Sequence, residues 1–406
     1  MKILALNCGS SSIKYKLFEM GDVPRLLLKG MVDKIGYDPS FLRYTVTDRR
    51  ERTFEKCFKD HHEAFQAVFD ISINDNNDIA VRVEQIKGIG HRVVHGGRRF
   101  TSPVLVTPEI CDELQKFSKF APLHNRPSVL GIEVCRKLLP GVPNIAVFDT
   151  AIHQTIPPKA FLYGLPKKLC EKHGIRKYGF HGTSHGYVGR EAARIIGRPF
   201  KDLKIITCHL GNGISITAFD KGQSVDTSMG MTPLEGLVMG TRSGDIDPSI
   251  VLYLIETEGL NTTEVQDLLN RKSGLKGLCG YSDVRDIIKR ADNGDKDAQT
   301  AIDVFVYRIQ KYIGAYAAAL NGVDVIVFTA GIGENSPYIR GKVLDSFAYL
   351  GIEIDKDKNE RNQTIFSTDT SAVYAMAIPT NEELVIAQIA YRLIARKKEL
   401  CNDERI

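Results

Sequence analysis

The sequence predicts an α/β protein built as two similar lobes. Three observations predict it. Strand and helix signals alternate throughout, an opening strand-turn-strand pattern recurs in the second half, and 406 residues exceed one ordinary core.

Residues 6–19, LNCGSSSIKYKLFE, set the pattern. An apolar strand over 2–6 leads into a glycine-serine turn. From Ile13 the chain alternates, with Ile13, Tyr15 and Leu17 on one face and Lys14 and Lys16 on the other. A P-loop would need GxxxxGK[ST] opening a helix, and neither is present. Further strands are expected over 145–148, 203–208, 215–219 and 323–328. Helix starts are expected where Thr107 precedes Pro108 and Asp247 precedes Pro248. Another is expected at Arg126 before Pro127, which lacks a good cap. Near the end, TNEELVIAQIAYRLIARKKEL sets Thr380 and Glu383 in capping-box spacing. It then lines Leu384, Ala387, Tyr391 and Ile394 along one helical face.

Laying IKYKLFEMG at 13–21 over ISITAFDKG at 214–222 matches Ile, Phe and Gly, with an acid over an acid. The turns correspond too, Ser10-Ser11-Ser12 over Gly211-Asn212-Gly213. A second pair sets IAVFDTAI at 145–152 over VIVFTAGI at 325–332. Either match alone is within reach of chance, and two in the same order argue for duplication. Each lobe would then aim a hairpin at a common cleft, where main-chain N–H groups of small residues approach a polyphosphate from both sides. The Ser10 and Ser12 hydroxyls and the Lys14 cation add donors. For one hairpin alone, a serine-rich turn with a solvated lysine is the simpler reading, and the duplicate reverses that preference.

The net charge of +5 is compatible with anionic small substrates and falls well short of a nucleic-acid signature. The stretch DRRERTFEKCFKDHH at 48–62 mixes both signs, as a solvated face does. Eight cysteines show no CxxC pair, which favours reduced thiols over a disulfide framework. MKILALN is too short an apolar run for a signal peptide, and no stretch of roughly 18 apolar residues exists. The expectation is a cytoplasmic protein without a membrane or nucleic-acid partner.

Four clusters could carry chemistry. GHRVVHGGRRF at 90–100 holds Arg92 and His95 beside a flexible Gly96-Gly97. FDTAIH at 148–153 puts Asp149 at the end of an apolar strand, where open α/β sheets bind ligands. YGFHGTSHGYV at 178–188 spaces His181 and His185 four apart, and GTRSGDIDPS at 240–249 carries Arg242, Asp245 and Asp247. The histidine spacing resembles a metal pair, yet Gly182 lies between and no HExxH or third ligand is evident. Asp247 reads most simply as a helix cap, and His95, His124 and His209 as structural. Arg92 and Arg242 suit an anion clamp, since planar guanidinium groups match carboxylate and phosphate oxygens two at a time. A surface salt bridge is the alternative for each. No hydrolase elbow, redox motif or dinucleotide fingerprint appears. Phosphoryl transfer needs positioning and charge neutralisation more than a covalent nucleophile, and this set supplies both.

From about residue 2 to 397 the chain resembles the acetate kinase family. The motifs that carry the likeness are LNCGSSSIKYKLFE, GHRVVHGG, FDTAIHQTIP, YGFHGTSH, HLGNGISI, MTPLEGLVMGTRSGDIDP, FTAGIGENS and TNEELVIA. The resemblance implies the two duplicated lobes of the actin-like ATPase fold shared by acetate and sugar kinases, with a central nucleotide cleft. It implies a first lobe of 1–150 plus 385–406, onto which the C-terminal helix packs back, a second lobe of 151–384, and a homodimer. It implies Mg²⁺, for which Mn²⁺ can stand in, at Asn7 and Glu382, with Glu383 left to the helix cap. Ser10, Ser12 and Lys14 would bind ATP from the first hairpin, and His209, Leu210, Gly211, Asn212 and Gly213 from the second, which moves His209 out of the structural class. Asp283, Val284 and Arg285 with Gly331, Ile332, Gly333, Glu334 and Asn335 would hold the adenosine side. Arg92 and Arg242 would clamp the carboxylate and the phosphoryl group in flight, and His181 would stabilise it. Asp149, the family's catalytic acid, would orient Arg242 or Arg92. Val94, Leu123 and Pro233 would receive the acetate methyl group, so the implied activity is reversible transfer from MgATP to acetate, giving acetyl phosphate and ADP. Propionate kinase is the neighbouring alternative, and a non-catalytic conformational ATPase of the actin or chaperone type the alternative of another class.

Overall fold

The alternation at the N-terminus becomes a hairpin in the structure, a computed structural model that describes residues 1–9, 11–74, 82–117 and 122–403. Strands β1 (Lys2–Cys8) and β2 (Ser12–Glu19) pair antiparallel, with Asn7 opposite Lys14. Ser10 lies outside the described residues. The chain divides into two units, Met1–Ala151 with Asn381–Ile406, and Ile152–Thr380.

The first unit adds β3 (Arg25–Asp33), β4 (Ser40–Val46), β5 (Arg52–Lys56), β6 (Ile86–Val93), β7 (Val104–Leu105) and β8 (Asn144–Phe148). Its sheet runs β5-β4-β3-β2-β1-β6-β8-β7, with β1, β6 and β8 parallel. Leu4, Leu6, Ile13, Tyr15 and Leu17 pack into the core on one face. On the other, Ile3 and Ala5 meet Ile386, Ala387, Ala390 and Ile394 of the terminal helix Glu382–Asp403. Glycines let that helix approach: a Cβ on Gly88 would collide with Ile394, and one on Gly90 with Ile386. Burying each of these isoleucines contributes about 1.5–3 kcal/mol.

The second unit holds β9 (Ile205–Leu210), β10 (Ile214–Asp220), β11 (Gln223–Thr227), β12 (Val325–Thr329) and β13 (Tyr374–Ala377), ordered β11-β10-β9-β12-β13. Helix Gly182–Ile196 covers one face through Val188, Ala192 and Ala193. The five central positions of the first sheet, β3-β2-β1-β6-β8, carry the same sequence of two antiparallel and then two parallel pairings. Duplication is therefore written in the topology. The first sequence match equates β2 with β10, as the topology does. The second does not: it lays β8 over β12, whereas β12 sits next to β9 as β6 sits next to β1. Two buried parallel strands both read as apolar runs, and that composition made them look alike.

Three helix expectations change. Pro127 lies inside helix Pro122–Leu138, which Pro122 opens; an internal proline there removes one i→i−4 bond without ending the helix. Helix Ser249–Glu258 has Pro248 at its cap position, and Asp247 Oδ1 accepts from Ser249 N at 2.9 Å. The capping box at Thr380 and Glu383 is not formed. Among the described residues Thr380 Oγ1 has no hydrogen-bond partner, and Glu383 is 3.0 Å from Lys16 Nζ. Thr107 caps its helix as expected, accepting from Ile110 N. Among the described residues no helix is long and apolar enough to cross a membrane.

Candidate active site

In the first unit, Asn7, Arg92 and Asp149 lie at the C-terminal ends of three neighbouring parallel strands, the edge where open α/β sheets bind ligands. Parallel register aligns Arg92 with Val147, and Asp149 N donates to Val93 O at 3.0 Å, which brings the two side chains together. Arg92 Nε donates to Asp149 Oδ1 at 2.9 Å and Nη2 to Oδ2 at 2.6 Å, a two-pronged pair with Asp149 fully buried. Glu382 Oε2 lies 3.8 Å from Arg92 Nε, brought there by the docking of the terminal helix. Burial alone would push the Arg92 guanidinium down, and the Asp149 and Glu382 carboxylates override it and hold it above its ordinary value. The alternation of β1 puts Asn7 on the face of Ile3 and Ala5, which this helix covers. Asn7 and Glu382 thus offer an amide and a carboxylate oxygen on one side of the sheet. So small a set suits Mg²⁺, which keeps waters and substrate phosphates as its other ligands.

Lys14 projects from β2 and is exposed, while Ser12 begins that strand. Gly9 N donates to Ser12 O at 2.8 Å, closing the turn. Val94 is buried just after β6. Leu123 lies in helix Pro122–Leu138, its side chain outside the described residues.

In the second unit, β9 and β10 are joined by Gly211, Asn212 and Gly213. The place a Cβ of Gly213 would occupy is 3.3 Å from His181 Nε2 and 3.6 Å from Arg242 Nη1, so the imidazole and the guanidinium converge on this turn. His181 precedes helix Gly182–Ile196 at φ +54°, a left-handed conformation uncommon for a residue with a Cβ. Its Nδ1 is 2.8 Å from Ser215 Oγ, and its ring stacks on His209 with centroids 4.1 Å apart. Arg242 Nη1 donates to Pro233 O at 3.1 Å, and burial pushes the guanidinium down from its ordinary value. Pro233 therefore meets Arg242 through its carbonyl.

A cavity of about 680 Å³ opens beside the turn, lined by Gly211, Asn212, Ser282, Asp283, Val284, Arg285, Ile288, Gly331, Ile332, Asn335, Ser336 and Pro337. Eight residues expected for the nucleotide meet there from three separate segments. Five others expected for the nucleotide in this unit are outside its lining; one of them, Gly213, completes the turn beside His181 and Arg242. Leu210 is fully buried, His209 Nδ1 pairs with Ser184 Oγ at 2.8 Å, and Gly333 packs beneath Phe328. Glu334 Oε1 accepts from Ala330 N and Thr380 N, so its carboxylate braces the backbone.

A model of the acetokinase family matches residues 2–388. The chain belongs to this family. It is 51% identical over 399 residues to the acetate kinase of Carboxydothermus hydrogenoformans, covering 98% of this chain and all of that one. The acetate kinase of Halothermothrix orenii is 50% identical over 397 residues, with 97% and 100% covered. Among solved structures, Porphyromonas gingivalis acetate kinase superposes with TM-score 0.89 at 43% identity, covering 97% and 99%. A propionate kinase from Francisella tularensis gives 0.91 at 41%, covering 96% and 99%. The fold is that of these kinases.

Sequence reasoning missed Ser282, Ile288, Ser336 and Pro337 in the cavity and the groups behind His181. A serine before a proline, as at 336 and 337, signals a helix start, and Ser336 Oγ does accept from Ile339 N. That signal could have marked the cavity wall of this acetokinase. Nothing in the sequence pairs Ser215 with His181.

Proposed function

We propose that this acetokinase transfers the γ-phosphoryl group of MgATP to acetate, reversibly, giving acetyl phosphate and ADP. The supporting observation is the turn at Gly213: the nucleotide-sized cavity begins at this turn, and His181 and Arg242 converge on it. A conformational ATPase has no use for that pair. A carboxylate is already an anionic nucleophile, so no general base is required. The difficulty is bringing two anions together, and fixed donors address it. In this reading Arg92 neutralises the incoming carboxylate. Asp149 is a positioning residue that holds the guanidinium plane. Arg242 and His181 carry the charge that develops on the phosphoryl oxygens. Ser12, Lys14 and the Gly211–Gly213 turn cradle the phosphates, and the cavity takes the nucleoside. Asn7 and Glu382 would hold Mg²⁺, which supplies charge neutralisation on the phosphate oxygens. Val94, Leu123 and Pro233 are assigned to the methyl group.

The test is acyl phosphate trapped with hydroxylamine from MgATP with acetate, propionate or butyrate. Acetate should give the highest kcat/KM, with propionate lower by about 10–200-fold, the worth of one methylene in an apolar pocket. A propionate preference would overturn the pocket, and no product from any acid would overturn the kinase reading. The reaction is assigned to the cytoplasm, where fractionation should find the protein. We also assign a second copy of the chain as partner. Ile250, Leu252 and Tyr253 of helix Ser249–Glu258 are 43–62% exposed, three large apolar side chains on one helix that a second copy would cover. Sedimentation at twice 45.2 kDa is expected, and a concentration-independent 45.2 kDa species would refute it.

A further inference from the structure

We propose that Ser215 and His185 are positioning residues that keep the neutral-state proton of His181 on Nδ1, so that Nε2 is the nitrogen presented at the Gly213 turn. The proposal rests on the kinase reading for its consequence, and on geometry alone for its content.

Four side chains stand in line. His181 Nδ1 is 2.8 Å from Ser215 Oγ, Ser215 Oγ is 2.7 Å from His185 Nε2, and His185 Nδ1 is 2.7 Å from Thr207 Oγ1. Ser215, His185 and Thr207 are fully buried. Their alignment follows from the fold. His181 and His185 are one helical turn apart, and Thr207, His209 and Ser215 share the face of β9 and β10 beneath that turn.

The protons can be placed by counting. A serine hydroxyl has one proton, so at least one of the two ring nitrogens against Ser215 must donate to it. His185 is neutral, its basicity pushed far down by burial, and has a single N–H. Thr207 Oγ1 has the Thr217 carbonyl within 3.5 Å, a group that can only accept, and this directs the Thr207 proton there. The Thr207 oxygen then receives His185 Nδ1–H, and His185 Nε2 is left as an acceptor for the Ser215 proton. The Ser215 oxygen is left to accept from His181 Nδ1–H. Every proton in the row has one acceptor. Because the partner of one ring nitrogen fixes the state of the other, His181 Nε2 carries the lone pair when neutral and gains its N–H when the ring is charged, without rotation. That edge is the one 3.3 Å from the Gly213 Cβ place, with Arg242 Nη1 beside it. Among the described residues, the titratable and charged groups facing His181 include His209, stacked on it from β9, His185 on its own helix, and Arg242 from the loop; His153 faces His185. The left-handed backbone at His181 carries a conformational cost that this row of bonds offsets by holding the ring in one place.

The experiment is ¹⁵N NMR of ring-labelled histidine in the intact chain without ligand, combined with kinetics. Neutral His181 should show the Nδ1–H tautomer. Ser215→Ala should shift it toward Nε2–H, lower kcat by about 10–100-fold as expected for a misoriented group, and leave both KM values within about threefold. It should also move the pH profile of kcat, and Ser215→Thr, which restores the hydroxyl, should recover most of the loss. Unchanged His153 signals would show the fold intact. His185→Gln, which keeps an acceptor for the Ser215 proton, should retain the tautomer. An Nε2–H tautomer in the unaltered protein, or Ser215→Ala with wild-type tautomer and kcat, overturns the proposal. Absence of acyl phosphate formation in the unaltered chain would instead overturn the kinase reading, while the tautomer would still be decided by the spectrum.

Discussion

The hairpins β1–β2 and β9–β10 hold the same place in two sheets of the same pairing order, yet their surroundings differ. Where β2 carries exposed Lys14, β10 carries fully buried Ser215. Around the first hairpin, charge is held by charge: Arg92 against Asp149 and Glu382, and Lys16 against Glu383. Around the second, neutral groups do the holding: Ser215 and His185 for the His181 ring, and the Pro233 carbonyl for Arg242. One duplicated frame thus supports two kinds of site. In the first, a buried carboxylate compensates a largely buried guanidinium, while in the second buried His185 is kept neutral and bonded to hydroxyls.

The largest expected difference comes from breaking one partner on each side. Asp149→Asn leaves the Arg92 guanidinium largely buried without its carboxylate. That should cost about 3–5 kcal/mol in a denaturant titration and lower kcat by about 10²–10³-fold. Ser215→Ala removes a neutral hydrogen bond and should cost about 1 kcal/mol. If Asp149→Asn were as stable as Ser215→Ala, the contrast between charge-held and neutral-held sites would fail.

A smaller effect separates the turns themselves. A methyl group at Gly213 would sit 3.3 Å from the His181 ring, which is fixed by Ser215 and by stacking on His209. At Gly9 the nearest atom is Ser12 Oγ at 2.9 Å, the end of a short side chain that can rotate away. Gly213→Ala should therefore lower kcat about 10²-fold by displacing a positioned group, and Gly9→Ala by only a few-fold. Steady-state rates with both proteins folded decide it, and the reverse order would show that the first turn is the rigid one.

Much of this was legible in the sequence, because the signals were local. Alternation at 13–18 gave β2 and its faces, and the motif segments named eight residues that do line one cavity. What was not legible depended on which chain segments meet. Arg92 and Asp149 read as separate clusters, and only the parallel register of β6 and β8 makes them a pair. Glu383 read as a capping residue because Thr380 stands three positions before it, but a lysine on β2 offered it a stronger partner. The repeat was half legible for a similar reason. A hairpin with a turn has a signature, whereas a buried parallel strand is an apolar run like any other, and β8 was matched to the wrong copy.

The smallest effect near neutral pH is acid sensitivity, and it should fall more heavily on the second unit. His153 accepts from Ser224 Oγ at Nδ1 and donates to the Phe180 carbonyl from Nε2, and burial pushes its pKa down to about 4. Because the folded value lies below the ordinary value of about 6.5, its contribution is fully present above pH 6.5 and is lost as pH falls from there towards 4. The loss is under about 1 kcal/mol by pH 6 and reaches about 3 kcal/mol near pH 4. In the first unit His91 is pushed down to about 4 in the same way. The second unit adds His185, shifted in the same direction by the same cause. Hydrogen exchange followed from pH 7 to 4.5 should show β9 and β10 amides losing protection more steeply than those of β1 and β6. His153→Gln should flatten the slope in the second unit alone. Equal slopes in both units would mean that the buried histidines are not what distinguishes the second unit from the first.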